Sequence, residues 1–177
     1  MTICASERLR LRHFVLADAE FILRLLNEPS FIRQIADKGV RTLADARSYL
    51  RTGPLAGYAT HGFGLNCIEM KDSGTPIGMC GILKRDSLPD PDLGYALLPE
   101  NWSRGYAFEA ACAIMTHAEQ VLRLPRVLAI TNADNAASIR LLEKTRFRFV
   151  GPVRLSADDP ELKLYSSELS RSAAMPV

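Results

Sequence analysis

The chain predicts a layered α/β (α+β) domain around a mixed sheet, on three observations. Short apolar or alternating segments bounded by Gly, Pro and Asp recur through the first hundred residues and read as strands. The second half then sets strand, long helix, strand, short helix and two strands in succession. Finally, the 177 residues fit one core, because a single domain usually holds about 100–200.

Each element has its own warrant. Residues 7–13 alternate, with Leu9 and Leu11 between Arg8, Arg10 and Arg12, and predict a strand with one wet face. Phe21, Ile22, Leu25 and Leu26 predict a helix over 16–27. Asp18 and Glu20 in its first turn suit the positive end of the helix dipole, and Pro29 closes it. Thr42 to Asp45 forms a capping-box pattern, and Leu43, Ala46 and Leu50 carry a second helix that Gly53-Pro54 stops. Residues 63–70 and 75–84 read as a hairpin turning at 71–74, and 92–98 as a strand that Pro99 ends.

The strongest helical periodicity begins near Gly105 and runs through Ala107, Ala111, Ile114, Met115, Ala118 and Leu122. A strand over 126–131, a helix over 135–144 and strands over 147–153 and 162–169 complete the set. The expected sheet therefore has six to seven strands, mostly antiparallel, flanked by about four helices. Residues 1–170 form one domain, and the small, polar segment 171–177 reads as a flexible tail.

Composition removes several classes of function. With 47% hydrophobic and 24% charged residues the chain is not a disordered one. A net charge of +2, with Lys and Arg scattered among Asp and Glu, gives no basic patch for nucleic acid. No apolar run approaches the roughly 20 residues of a membrane span. Residues 1–12 lack the apolar core of a signal peptide, so a cytoplasmic location is expected. Cys4, Cys67, Cys80 and Cys112 form no C-x-x-C pair and read as reduced thiols. His13, His61 and His117 lack metal-ligand spacing, so no metal is expected.

Chemistry concentrates in residues 98–110, where a strand ends, a polar loop turns and a long helix begins at a glycine. Free N–H groups at such a helix start form an anion site, strengthened by the dipole. Gly105 removes the side chain where a phosphate would touch backbone, and Arg104 adds a charge. A glycine relieving a strained turn reads equally well from this loop alone.

The chain resembles the GNAT N-acetyltransferase superfamily, in particular the RimJ/RimL-like branch. The resemblance runs over nearly its whole length. Residues 6–12 look like the opening strand of that branch, 78–82 like its central strand, and 93–97 like the strand before the coenzyme loop. The pyrophosphate loop falls on Trp102, Ser103, Arg104, Gly105, Tyr106 and Ala107. Ser103 stands where the branch often has Gly, and Trp102 where the wider superfamily has Gln or Arg. Residues 132–144 resemble the branch's N-x-x-N-x-x-S-x-x-x-x-E-K block, with Asn135 as a helix N-cap and Ser138 one turn further in. The tyrosine acid of many members is replaced by Leu142, and a Gly-Phe turn by Arg146-Phe147.

This resemblance implies direct acetyl transfer from acetyl-CoA to a primary amine, either a protein N-terminus or a small molecule, without a covalent enzyme intermediate. The alternative is an acyl-CoA-binding regulatory module without catalysis. Residues 102–107 would hold the pyrophosphate, and backbone N–H groups near Leu97 and Leu98, with Asn135 and Ser138, would meet the pantetheine arm. Ser138 is the candidate proton donor to the leaving thiolate. Asp92 is the candidate base, acting through water, against the alternative of a solvated or paired acid. Glu109, near the helix start, reads as structural. The acceptor pocket would lie around residues 31–40 and 55–64. A homodimer is compatible with the sequence, being the commonest assembly.

Overall fold

The computed structural model describes residues 1–169; the tail expected over 171–177 lies outside them. One sheet carries eight strands: β1 (Thr2–Ala5), β2 (Leu9–His13), β3 (Leu65–Met70), β4 (Pro76–Leu83), β5 (Asp92–Leu97), β6 (Arg126–Thr131), β7 (Arg148–Val153) and β8 (Leu162–Glu168). Their spatial order is β1-β2-β3-β4-β5-β6-β8-β7. Every neighbouring pair is antiparallel except β5 and β6. Between those two the chain crosses over through α5 (Tyr106–Gln120), as a parallel connection requires.

Each face of the sheet is covered. On one, α5 and α6 (Ala136–Lys144) bury Ile68, Cys80, Ile82 and Leu93 beneath Ala110, Ala111 and Ile114. On the other, α1 (Ala19–Leu26), α2 (Pro29–Gln34) and α3 (Leu43–Leu50) cover Leu65, Cys67, Met79 and Leu98 with Ile22, Leu25, Phe31 and Leu50. The four cysteines are free thiols, and burial pushes Cys67 up to about 12. Among the described residues no helix is long and apolar enough to cross a membrane.

Three elements depart from the expected set. Residues 2–5 add an eighth strand, β1, at the sheet edge, too short to announce itself by alternation. Pro29 ends nothing; it opens α2 from its first turn, where a missing N–H costs no hydrogen bond. Gly53-Pro54 does not stop the helix that begins at Leu43. The backbone widens into a π turn over Arg51–Leu55, with Pro54 buried inside it, and continues as α4 (Ala56–His61). A π turn takes up the proline's lost donor and bulky ring without unwinding the helix. Gly62 at φ 76° then ends it.

Candidate active site

β5 and β6 touch at one point. Their parallel ladder consists of Asp92 opposite Leu128, with the Leu128 N–H donating to Pro91 C=O at 2.8 Å. Beyond it the strands part, and β5 continues to Leu97 bonded on one side only. Which backbone groups face the gap follows from strand parity. Leu98 N–H donates to Ile77 C=O at 2.9 Å, so Leu98 and alternate residues Ala96 and Gly94 turn their polar groups toward β4. Tyr95 and Leu97 turn theirs toward the gap. The expected pair of backbone donors is thus corrected: Leu97 N–H faces the gap, whereas Leu98 N–H is already engaged. Trp102 donates its indole Nε1–H to Leu97 C=O at 3.0 Å, pinning the following loop to the end of β5.

That loop delivers the chain to α5 in an unusual backbone state. Ser103 has φ 59° and Gly105 φ 83°, both left-handed. Glycine adopts this state freely, and a Cβ at Gly105 would approach Nη2 of Arg8 to 3.4 Å. The first bond of the helix runs from Glu109 N–H to Gly105 C=O at 3.0 Å. The N–H groups of Tyr106, Ala107 and Phe108 therefore have no partner within it. Three convergent donors at the positive end of a fifteen-residue helix fit an anionic phosphate group.

A clamp that sequence reasoning missed holds this loop. Glu109 accepts from the Ser6 hydroxyl (2.7 Å), the Arg8 N–H (2.8 Å) and Arg8 Nε (2.8 Å). Arg8 in turn donates through Nη1 to Arg104 C=O at 3.1 Å and lies 4.5 Å from the Tyr106 ring centroid. Burial alone would raise the Glu109 carboxyl, but Ser6 and Arg8 outweigh it and hold it below the ordinary range. The only sign in the sequence was an acid in the first turn of α5 and an arginine in an alternating strand.

Across the gap, Tyr95 of β5 and Ser138 of α6 meet, oxygen to oxygen, at 2.6 Å. The Ser138 hydroxyl is thus directed away from its own helix. Asn135 caps α6 by accepting the Ser138 N–H at 3.0 Å, which accounts for its position whatever else it touches. Burial pushes the Tyr95 phenol up to about 12, against the opposing effect of Ser138. Leu142, where many members carry their tyrosine, is 1% exposed and belongs to the core. Among the described residues the phenol against Ser138 comes from β5, from a residue that the sequence marks only as part of a strand.

The turn after α6 keeps its geometry without glycine. Arg146 takes φ 70°, its N–H donates to Glu143 C=O (3.3 Å), and Phe147 N–H donates to Leu142 C=O (3.0 Å). This is a Schellman closure with Phe147 and Leu142 in apolar contact beneath it.

Asp92 departs from the expectation of a water-linked base. It is 0% exposed, and Arg85 Nε lies 3.0 Å from each of its oxygens. Burial raises its pKa, with Arg85 opposing. Held there, at the point where β5 and β6 join, it anchors the strands and leaves no free oxygen toward solvent. Beside this point opens a cleft of about 280 Å³, lined by Tyr49, Thr60, His61, Leu65, Leu83 and Lys84 among others. It lies against residues 53–65. Residues 31–40 approach the gap separately, with Asn132 Nδ2 donating to Gln34 C=O at 3.1 Å.

Known proteins share both sequence and shape with this chain. The profile of the acetyltransferase (GNAT) domain matches residues 8–148. The uncharacterized N-acetyltransferase YoaA of Bacillus subtilis is 28% identical over 153 residues, covering 86% of each chain. An acetyltransferase structure from Agrobacterium tumefaciens superposes with a TM-score of 0.79 at 26% identity, over 95% of this chain and 94% of that one. RimL, a ribosomal-protein alpha-N-acetyltransferase solved with coenzyme A, shares the fold at a TM-score of 0.78 and 17% identity, over 96% of this chain and 98% of its own. With two parallel strands that part, a long helix opening after them and a domain match over most of its length, the chain belongs to the GNAT acetyltransferase family.

Proposed function

We propose that the protein is an N-acetyltransferase that moves the acetyl group of acetyl-CoA directly to a primary amine. The observation that carries this reading is the stretch of β5 from Tyr95 to Leu97 that no strand pairs on its β6 side, leading on to the open helix start at Gly105. In this reading the N–H groups of Tyr106, Ala107 and Phe108 hold the diphosphate. Leu97 N–H and the polar edge of Tyr95 hold the pantetheine arm as a further strand would be held. RimL, the fold relative named above, was solved with coenzyme A, which supports the same ligand here.

The amine nitrogen attacks the thioester carbonyl, the C–S bond breaks, and the coenzyme leaves as a thiolate. A donor preorganised at the carbonyl oxygen lowers such a barrier by about 3–4 kcal/mol, and the β5 edge supplies the N–H group for it. The departing sulfur takes a proton from the Tyr95–Ser138 pair, whose oxygens are hydrogen-bonded at 2.6 Å. Serine alone is a poor acid. A phenol behind it supplies a proton while the hydroxyl passes its own on, and the phenol regains its proton from water, which has taken up the one the amine sheds. The amine sheds its proton to water, because Asp92, the acid considered for this task, is engaged by Arg85.

Two measurements test the reading. Acetyl-CoA at about 100 times its dissociation constant raises the stability of the fold by about 2.7 kcal/mol, and thiol is released only when an amine is present. Stabilisation without thiol release across a broad amine panel would favour the regulatory module. No stabilisation at all would remove both.

A further inference from the structure

The cleft beside β5 adjoins the candidate reaction centre through one bare residue. Leu65 and Leu83, which line it, both lie over Gly94: a Cβ there would come within 2.8 Å of Leu83 Cδ1 and 3.4 Å of Leu65 Cδ2. Gly94 precedes Tyr95, and successive residues of a strand point to opposite faces of a sheet. Tyr95 meets Ser138 on the face covered by α5 and α6, whereas Leu65 and Leu83 pack on the face covered by α1 to α3. The cleft therefore reaches the same point of β5 from the side opposite Ser138.

The cleft offers nothing to receive a charge. Tyr49, Pro54, Phe63, Leu65 and Leu83 give it an apolar lining, and His61 stacks on Phe63 with ring centroids 5.7 Å apart. Among the described residues no Asp or Glu lines it, and Lys84 is the one Lys or Arg that does. The three hydrogens of Lys84 Nζ go to the carbonyls of Leu88 (2.8 Å), Pro89 (3.2 Å) and Arg85 (3.4 Å), so none is left for an incoming anion. Thr52 gives its hydroxyl hydrogen to Ser48 C=O at 3.0 Å. Arg85 and Asp92, at the neighbouring end of β5, are bound to each other. A carboxylate entering the cleft finds no free cation, and a second ammonium finds no carboxylate. Burying either unpaired is costly.

We infer that the acceptor is a small primary amine carried on an uncharged, apolar body, and that this body fills the cleft. The inference rests on the acetyltransferase reading above and names the substrate class for it. The size of the cleft, about 280 Å³, sits at the lower end of small-molecule sites, roughly 300–1,000 Å³. Polyamines and aminoglycosides bring further ammonium groups that this lining does not pair. The same apolar lining does a second task. Loss of water disfavours the charged form of an amine, so the surface that selects the body also raises the fraction of neutral, nucleophilic nitrogen without a dedicated base.

Four amines of one shape isolate the effect: phenethylamine and its para-carboxamide, para-carboxylate and para-aminomethyl derivatives. The carboxamide matches the charged pair in bulk. At pH 8.5, above the ordinary imidazole range, phenethylamine should give the highest kcat/KM for thiol release from acetyl-CoA. The carboxylate and aminomethyl compounds should each fall about tenfold or more below the carboxamide, as unpaired charges do on burial. Thr60→Asp places a carboxylate on the exposed last turn of α4, beside the cleft. It should raise the rate ratio of the aminomethyl compound to the carboxamide by about fivefold, the size of an exposed ion pair. Charged compounds that react as fast as the carboxamide, or a ratio that Thr60→Asp leaves unmoved, would overturn the inference and leave the acetyltransferase reading standing. If no compound releases thiol, that reading is the one in difficulty, and melting with coenzyme A plus each amine still decides the present one. Extra stabilisation by phenethylamine but not by the two charged derivatives supports it, and its absence overturns it.

Discussion

The two ends of β5 are made of different materials. At its C-terminal end the candidate coenzyme site is built from backbone: unpaired N–H groups from Leu97 and from Tyr106 to Phe108, fixed by left-handed Ser103 and Gly105. Near its N-terminal end the proposed acceptor cleft is lined by residues of a helix interrupted by a π turn and of the strands beside it. Backbone donors tolerate changes of side chain as long as φ and ψ survive, so a coenzyme shared by many relatives suits them. Side chains change without altering the fold, so a site built from them can change its ligand while the scaffold stays. Mutations at the first end should act through binding of the coenzyme, and mutations at the second through choice of amine.

The largest effect expected is at Gly105. Gly105→Val should abolish most of the stabilisation of about 2.7 kcal/mol that saturating acetyl-CoA gives the parent. The fold itself should lose only about 1–2 kcal/mol, the cost of a β-branched residue at φ 83°. Melting curves with and without acetyl-CoA separate the two, and a variant that keeps its ligand shift would break the contrast. Next is the hydrogen-bonded pair in the gap. Tyr95→Phe and Ser138→Ala should each lower kcat by about a hundredfold, and the double variant should be little worse than either, as for groups that act as a unit. An unchanged turnover number in either well-folded variant removes that residue from proton transfer.

The clamp under the loop gives a smaller effect with a pH signature. The Glu109 carboxyl is held below its ordinary value in the fold, so its contribution is present above the unfolded value of about 4.3 and is lost as pH falls through the depressed one. Melting followed from pH 7 downward should fall more steeply in the parent than in Glu109→Gln below about pH 4.3. Glu109→Gln should also weaken the coenzyme shift at neutral pH, since Arg8 loses the partner that seats it under Arg104. The smallest effect is a gain. Arg146→Gly relieves a left-handed residue already closed by Schellman bonds and should stabilise the fold by about 0.5–1 kcal/mol. Chemical denaturation would show it, and a loss of stability would mean that the Arg146 side chain has a role of its own.

The same contrast explains what was legible in the sequence. Gly105 and Asn135 announce themselves because positive φ and N-capping are local demands that one residue satisfies. Seven of the eight strands follow from alternation and turn residues, whereas β1 spans only four residues. The Tyr95–Ser138 pair joins positions 43 residues apart, and depends on the parity of β5 and on how α6 is rotated over the gap. Neither can be read from spacing. Asp92 was legible only as a choice between a water-linked base and a solvated or paired acid, and the pairing with Arg85, which comes from the loop after β4, is a long-range contact that local sequence does not show. The π turn hid because Gly-Pro is a stop in almost any isolated segment, whereas here the helix widens around a buried Pro54 and runs on.

Amide hydrogen exchange over residues 103–108, with and without coenzyme A, tests the coenzyme site most directly. Without the coenzyme these N–H groups should exchange fast, as donors ahead of the first helical bond do. With it, Tyr106, Ala107 and Phe108 should become protected, along with Leu97. Exchange at those four amides that stays fast under saturating coenzyme A would contradict the assignment.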